Sequence, residues 1–204
     1  MNRVRGIRLP AIICILALAI VLSPSISGAG KMPKAKVQYS ADSVMKVEGK
    51  TVKARVYYAP GKERKEMDSS AGGQTIILRH DKKEMWILMP EQKMYIKQPL
   101  GNKKSPESVS DYDVKMKKVG TETVNGLKAT KSKITMTGHG NTFEGFAWTT
   151  GDNIMVKLDV MDKSRVMKTE LKNVKIGKQS PSLFEIPKGY SLFGMGGFGG
   201  MRRK

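Results

Sequence analysis

Apolar and polar residues alternate with a period of two along most of the chain. Val37, Tyr39, Met45 and Val47 share one parity, and Gln38, Ser40, Asp42 and Lys46 take the other. Val52, Ala54, Val56 and Tyr58 alternate with Thr51, Lys53, Arg55 and Tyr57. That rhythm predicts extended strands with one face turned to a core and one to water. Ala59-Pro60-Gly61-Lys62 reads as a turn, and Lys62 to Met67 as a polar returning strand. Then the pattern tightens into QTIILR (74–79), EMWILM (84–89) and KMYIK (93–97). The connections between these runs are so short that only antiparallel neighbours fit. Pro99 to Ser110 reads as a polar loop, with one helical turn near Pro106 to Asp111.

Beyond it, Asn125-Gly126 separates Thr121–Val124 from Leu127–Met136, a strong hairpin signal. Turns at Gly138 to Asn141, at Gly151 to Asn153 and at Asp162 to Ser164 divide Phe143–Thr149, Ile154–Val160 and Val166–Ile176. Helical periodicity is nearly absent. The fold class expected is mostly β: a single curled antiparallel sheet, a half-barrel or open barrel of ten or eleven strands with one or two short helices. The Gly- and Met-rich end, 191–204, closes on Arg202-Arg203-Lys204 and is expected to be a disordered tail.

The first 29 residues follow a different logic. Arg3, Arg5 and Arg8 precede an apolar run from Leu9 to Leu22, broken at Ser23-Pro24 and followed by Ser27-Gly28-Ala29. This is the pattern of a cleaved secretory signal, and the run is shorter than the roughly 20 residues a membrane span needs. The expected organisation is a signal peptide at 1–29, a β domain at 30–190 and the tail at 191–204. Such a protein would work in the periplasm or outside the cell. Cys14 is the only cysteine and would leave with the signal, so the remainder could form neither a disulfide nor a thiolate metal site. About 175 residues remain, enough for one core.

Charge narrows the partners. The chain holds 37 Lys+Arg against 18 Asp+Glu, and the leader accounts for only three of the basic residues. In an exported protein such a surplus points to anionic membrane surfaces or cell-surface polymer, or simply to solubility, rather than to nucleic acid. The lysines are spread along the chain, not blocked together.

Ser182-Leu183-Phe184-Glu185-Ile186-Pro187-Lys188-Gly189-Tyr190 resembles the closing motif of the periplasmic LolA/LolB-like lipoprotein carriers. The hairpin EMWILMPEQKMYI (84–96) resembles the same group, and the whole pattern is most similar to its uncharacterised branch, domain-of-unknown-function family 4412. The resemblance implies a curved sheet over a hydrophobic cavity that takes acyl chains. The carriers plug that cavity with helices, for which this chain offers few candidates. Lipid carriage is therefore an analogy of fold.

No catalytic constellation is visible. His80 and His139 both fall in turns, too few for a zinc site. No nucleophile elbow is present, and Asp111 and Asp113 read as loop residues. The glycines at Gly194, Gly196, Gly197, Gly199 and Gly200 do not form a phosphate loop. Met85, Met89 and Met94, with Met155, Met161 and Met167, could ligate Cu(I), but they read better as a deformable apolar lining.

The reading that results is a non-enzymatic binding protein without a cofactor. It would hold a lipid or lipoprotein acyl chain against Val52, Val56, Tyr58, Ile76, Leu78, Trp86, Leu88, Ile154, Val156 and Leu158. The alternative is an envelope interaction module with a solid core and a basic partner-binding surface.

Overall fold

The computed structural model describes residues 30–67, 73–100, 112–163 and 165–193. The expected signal peptide, the expected helical turn at 106–111 and most of the expected tail lie outside them. Twelve strands form one open, curled sheet. They are β1 (Tyr39–Val47), β2 (Lys50–Ala59), β3 (Lys62–Met67), β4 (Gln74–Arg79), β5 (Glu84–Met89) and β6 (Met94–Pro99), then β7 (Asp113–Val124), β8 (Leu127–Gly138), β9 (Asn141–Thr149), β10 (Met155–Met161), β11 (Val166–Ile176) and β12 (Ser191–Leu192). The order across the sheet is β12-β6-β5-β4-β3-β2-β1-β11-β10-β9-β8-β7. Every pairing is antiparallel except that of β12 with β6. Nearly all neighbours are hairpin partners. The exceptions are β12 with β6 and β1 with β11, the second a long-range pairing that joins the two hairpin runs into one surface.

The hairpins form where the turn chemistry allows. Asn125 and Gly126 both take positive φ (47° and 80°), as the tight turn between β7 and β8 requires. One correction falls at the end of the chain. Ser191 and Leu192 are the first residues of the expected tail, yet they pair with Met94 and Tyr95 of β6. Short as it is, that strand satisfies backbone groups of an edge.

Directly opposed residues in an antiparallel ladder share a face, so the register sorts the sheet into two faces. The inner face carries Ala41, Val56, Leu158 and Val160. It holds the cluster of Val114, Ile134, Met136, Phe143, Ala147, Leu158 and Val160, beside buried Tyr112. A second cluster joins Ala41, Val56, Ile154, Val156 and Leu171 to Trp148, Val124 and Ala129. The segment before β1 ties the two ends of this region together: Lys36 N donates to Asp152 O (2.8 Å), Gly30 N to Val114 O (3.0 Å), and Tyr58 Oη to Ala35 O (3.1 Å).

On the outer face of β2–β6 lies a third cluster: Ala59, Ile77, Trp86 and Leu88 under Phe184. The cover is a strap formed by the C-terminal segment, with a 3-10 helix at Pro181–Phe184. Among the described residues this is the helical element.

Candidate ligand-binding face

β4 and β5 have apolar side chains on both faces, which explains their near-continuous hydrophobic runs. Their outer face is closed. Phe184 is 1% exposed and lies against Ile77, Trp86 and Leu88. Arg79, buried on that same face, fixes the strap: its Nη1 donates to Phe184 O (3.1 Å) and to the Glu185 carboxylate. Arg64 Nη1 donates to Leu183 O (2.9 Å). Asp81 holds the other side of the Arg79 fork with bonds of 2.8 and 2.7 Å. These bonds lower the Asp81 carboxyl to about 2 and raise the Arg79 guanidinium.

The inner face of the same strands is the candidate site. Two rows cross it from β1 to β6. One is Tyr39, Tyr58, Glu63, Leu78, Met85 and Gln98. The other is Ala41, Val56, Lys65, Ile76, Ile87 and Ile96. Met89 stands opposite Met94 at the margin. Leu78 and Met85 are buried, while Ile76, Ile87 and Ile96 are half-buried. Among the described residues, the five belong to none of the three clusters. The patch is therefore a row of aliphatic and thioether groups, well suited to an irregular apolar guest.

A polar step on β3 borders the patch. Glu63 and Lys65 are 3.9 Å apart, and His80 Nε2 is 3.5 Å from Glu63. Burial pushes the Glu63 carboxyl up, but His80, Lys65 and Lys34 outweigh it and hold it below its ordinary value. Tyr39 and Tyr58 stack beside it with centroids 5.3 Å apart. Burial, then the Glu63 charge, pushes the Tyr39 phenol up.

The register divides the ten residues expected to line a single cavity. Val52, Val56, Tyr58, Ile76 and Leu78 do share the inner face. Trp86 and Leu88 do not: they point the other way and are sealed under Phe184. Ile154 and Val156 pack in the cluster with Ala41, and Leu158 in that with Phe143. Met85, Ile87 and Ile96 take the place assigned to Trp86 and Leu88. The four-residue turn between β4 and β5 held that information, because it sets Arg79 opposite Glu84.

Two depressions lie elsewhere. One, of about 330 Å³, is lined by Asp42, Ser43, Val44, Lys53, Ala54, Arg55 and Glu66. The other, of about 190 Å³, is lined by Val44, Lys46, Lys157, Asp159, Lys168, Thr169 and Glu170. Both are shallow and charged. His139 tilts against Tyr112 at 5.6 Å, far in the fold from His80. Among the described residues, no group of three or more His, Cys, Asp or Glu is placed to hold a metal ion, and no helix is long and apolar enough to cross a membrane.

Residues 42–153 match the model of the family described as Domain of unknown function (DUF4412), more than half of the chain. The chain belongs to the DUF4412 family. The match spans β1 to the turn before β10, so it includes the candidate face and omits the strap. No curated protein matches this DUF4412 chain. Among solved structures, an uncharacterised conserved protein from Thermus thermophilus is similar with a TM-score of 0.55 at 16% identity, covering 78% of this chain and 90% of that one. That likeness shows a shared fold. MucB, crystallised in complex with MucA(peri), aligns with a TM-score of 0.46 at 12% identity over 76% of this chain and 56% of MucB. The chain thus spans little more than half of MucB. The lipoprotein LppX of Mycobacterium tuberculosis aligns at 0.40 with 13% identity, over 66% of this chain and 85% of LppX.

Proposed function

We propose that the protein is an exported, non-enzymatic binding protein that holds an acyl chain, or a similar apolar ligand, on the inner face of β4–β6. One observation carries this reading. Both faces of these strands are apolar, the chain closes the outer one with its own strap, and on the inner one Ile76, Ile87 and Ile96 stand only half-buried, over a floor of buried Leu78 and Met85. An apolar face of that kind is stabilised by an apolar partner. Each buried methylene contributes about 0.8 kcal/mol, so a sixteen-carbon chain gains roughly 12 kcal/mol before the costs of ordering. Lys65 at the border is placed to meet an anionic headgroup. The leader-like first 29 residues, with their basic, apolar and small-residue sections, support export.

Titration with a fluorescent fatty acid tests the proposal. Saturable binding is expected, with a loss of about tenfold or more on Ile87→Asp, because a charge would enter the patch. Binding that this substitution leaves unchanged would place the ligand elsewhere.

The shallow, charged depressions favour a second reading, an envelope interaction module whose interior is solid. A protein that never binds an acyl probe and captures partners in a salt-sensitive manner would fit it.

A further inference from the structure

The outer face of β7–β11 and β1 sorts the lysines that look scattered in the sequence. Lys117, Lys133, Phe146, Asp159, Lys168 and Lys46 stand in one row across six adjacent strands. A neighbouring row runs Lys131, Trp148, Lys157, Glu170, Val44 and Lys53. On the other side Lys115, Thr135, Glu144, Met161 and Val166 form a third. Together these rows hold eight lysines and three acids. Six strands at the ordinary spacing make a face about 25 Å wide.

Large apolar groups project from this face, Phe146 within the lysine rows and Met161 and Val166 along their margin. Phe146 is 37% exposed, Met161 57% and Val166 43%. Met161 and Val166 are a directly opposed pair, and Phe146 lies two residues along β9 from the partner of Met161. The lysines are held at the level of the rings. Lys131 Nζ is 4.9 Å from the Phe146 centroid and 5.2 Å from that of Trp148, and Lys157 Nζ is 4.5 Å from the latter. Glu122 braces the group, accepting from Lys131 Nζ (2.8 Å) and Trp148 Nε1 (2.7 Å).

We infer that this face docks on the surface of an anionic lipid bilayer. Phosphates would meet the ammonium groups, and Phe146, Met161 and Val166 would enter the boundary between headgroups and acyl chains. The pairing of apolar projections with a cationic surround fits that boundary, where the two contributions add. A soluble polyanion would satisfy the lysines but give nothing to Met161 and Val166. The face lies on the opposite side of the sheet from the acyl patch and shares no residue with it. The inference therefore stands or falls separately from the proposed function.

Sedimentation with vesicles of phosphatidylglycerol and phosphatidylcholine tests it, with pure phosphatidylcholine vesicles and soluble dextran sulfate as the other arms. The expected result is binding to the anionic vesicles that weakens between about 0.1 M and about 0.5 M salt. Reversing two charges (Lys133→Glu with Lys168→Glu) should lower it by about tenfold or more. Replacing Met161 and Val166 by serine should lower vesicle binding several-fold and leave dextran sulfate binding unchanged. Both variants should keep fatty-acid binding, since the inner patch is untouched. Vesicle binding unaffected by either variant would overturn the inference. So would an equal response of vesicles and dextran sulfate to the serine variant, which would assign the face to polyanions.

Discussion

At the scale of single residues, the tightest constraint is Gly145 in β9. Its φ is +156°, and a Cβ there would collide with Asp159 O and sit 2.8 Å from Val160 Cα. Both contacts are backbone of the neighbouring strand, so neither can swing aside. Gly145→Ala should cost about 3 kcal/mol, the upper end for an overpacked site, as a lowered midpoint in urea with an unchanged slope. Arg79 sets a different kind of limit. Asp81, held at about 2 instead of 3.8, stabilises the fold above the ordinary carboxylate value, and that contribution is lost as pH falls toward 2. Arg79→Gln removes the cause. The Tm difference between the two proteins should be largest near neutrality and should narrow as pH falls from about 4 to about 2. A difference that stays constant through that window would show that the Asp81 pairing adds nothing to stability. The placement of Trp86 shows why single residues were the hardest to read. Its parity within β5 is plain in the sequence, but the face it joins depends on register with β4, and a slip of one residue reverses the face.

At the scale of elements, the strands were legible and their covers were not. Alternation marked β1, β2 and β10, and turn residues marked the hairpins and β11, because both signals are local. The strap was visible only as a motif, Ser182 to Tyr190. Its role depends on contacts with β3 and β4, more than a hundred residues away in sequence. The same distance hid β12, a two-residue strand that exists because β6 offers an edge. Phe184 is the centre of the strap. Phe184→Ala should cost about 3–5 kcal/mol by leaving a cavity over Ile77, Trp86 and Leu88. Tryptophan emission should shift to the red as water reaches Trp86. An unshifted spectrum and an unchanged midpoint would mean that the outer face holds together without the strap.

At the scale of the whole molecule, one sheet presents four kinds of surface. Its inner face packs a core against β7–β11, its outer face over β2–β6 is closed by the strap, and its outer face over β7–β11 is basic with apolar projections. Net charge could be counted from the sequence, but its distribution could not, because lysines from six strands meet only through the register. The remaining surface, the inner face of β4–β6, is the one to which the proposed function is assigned. Native mass spectrometry of the purified protein before and after solvent extraction tests that claim most directly. The account predicts an added mass in the lipid range that extraction removes, that Ile87→Asp abolishes and that the Lys133→Glu, Lys168→Glu variant retains. A protein that carries no added mass from the cell and takes up none when offered fatty acid would contradict it.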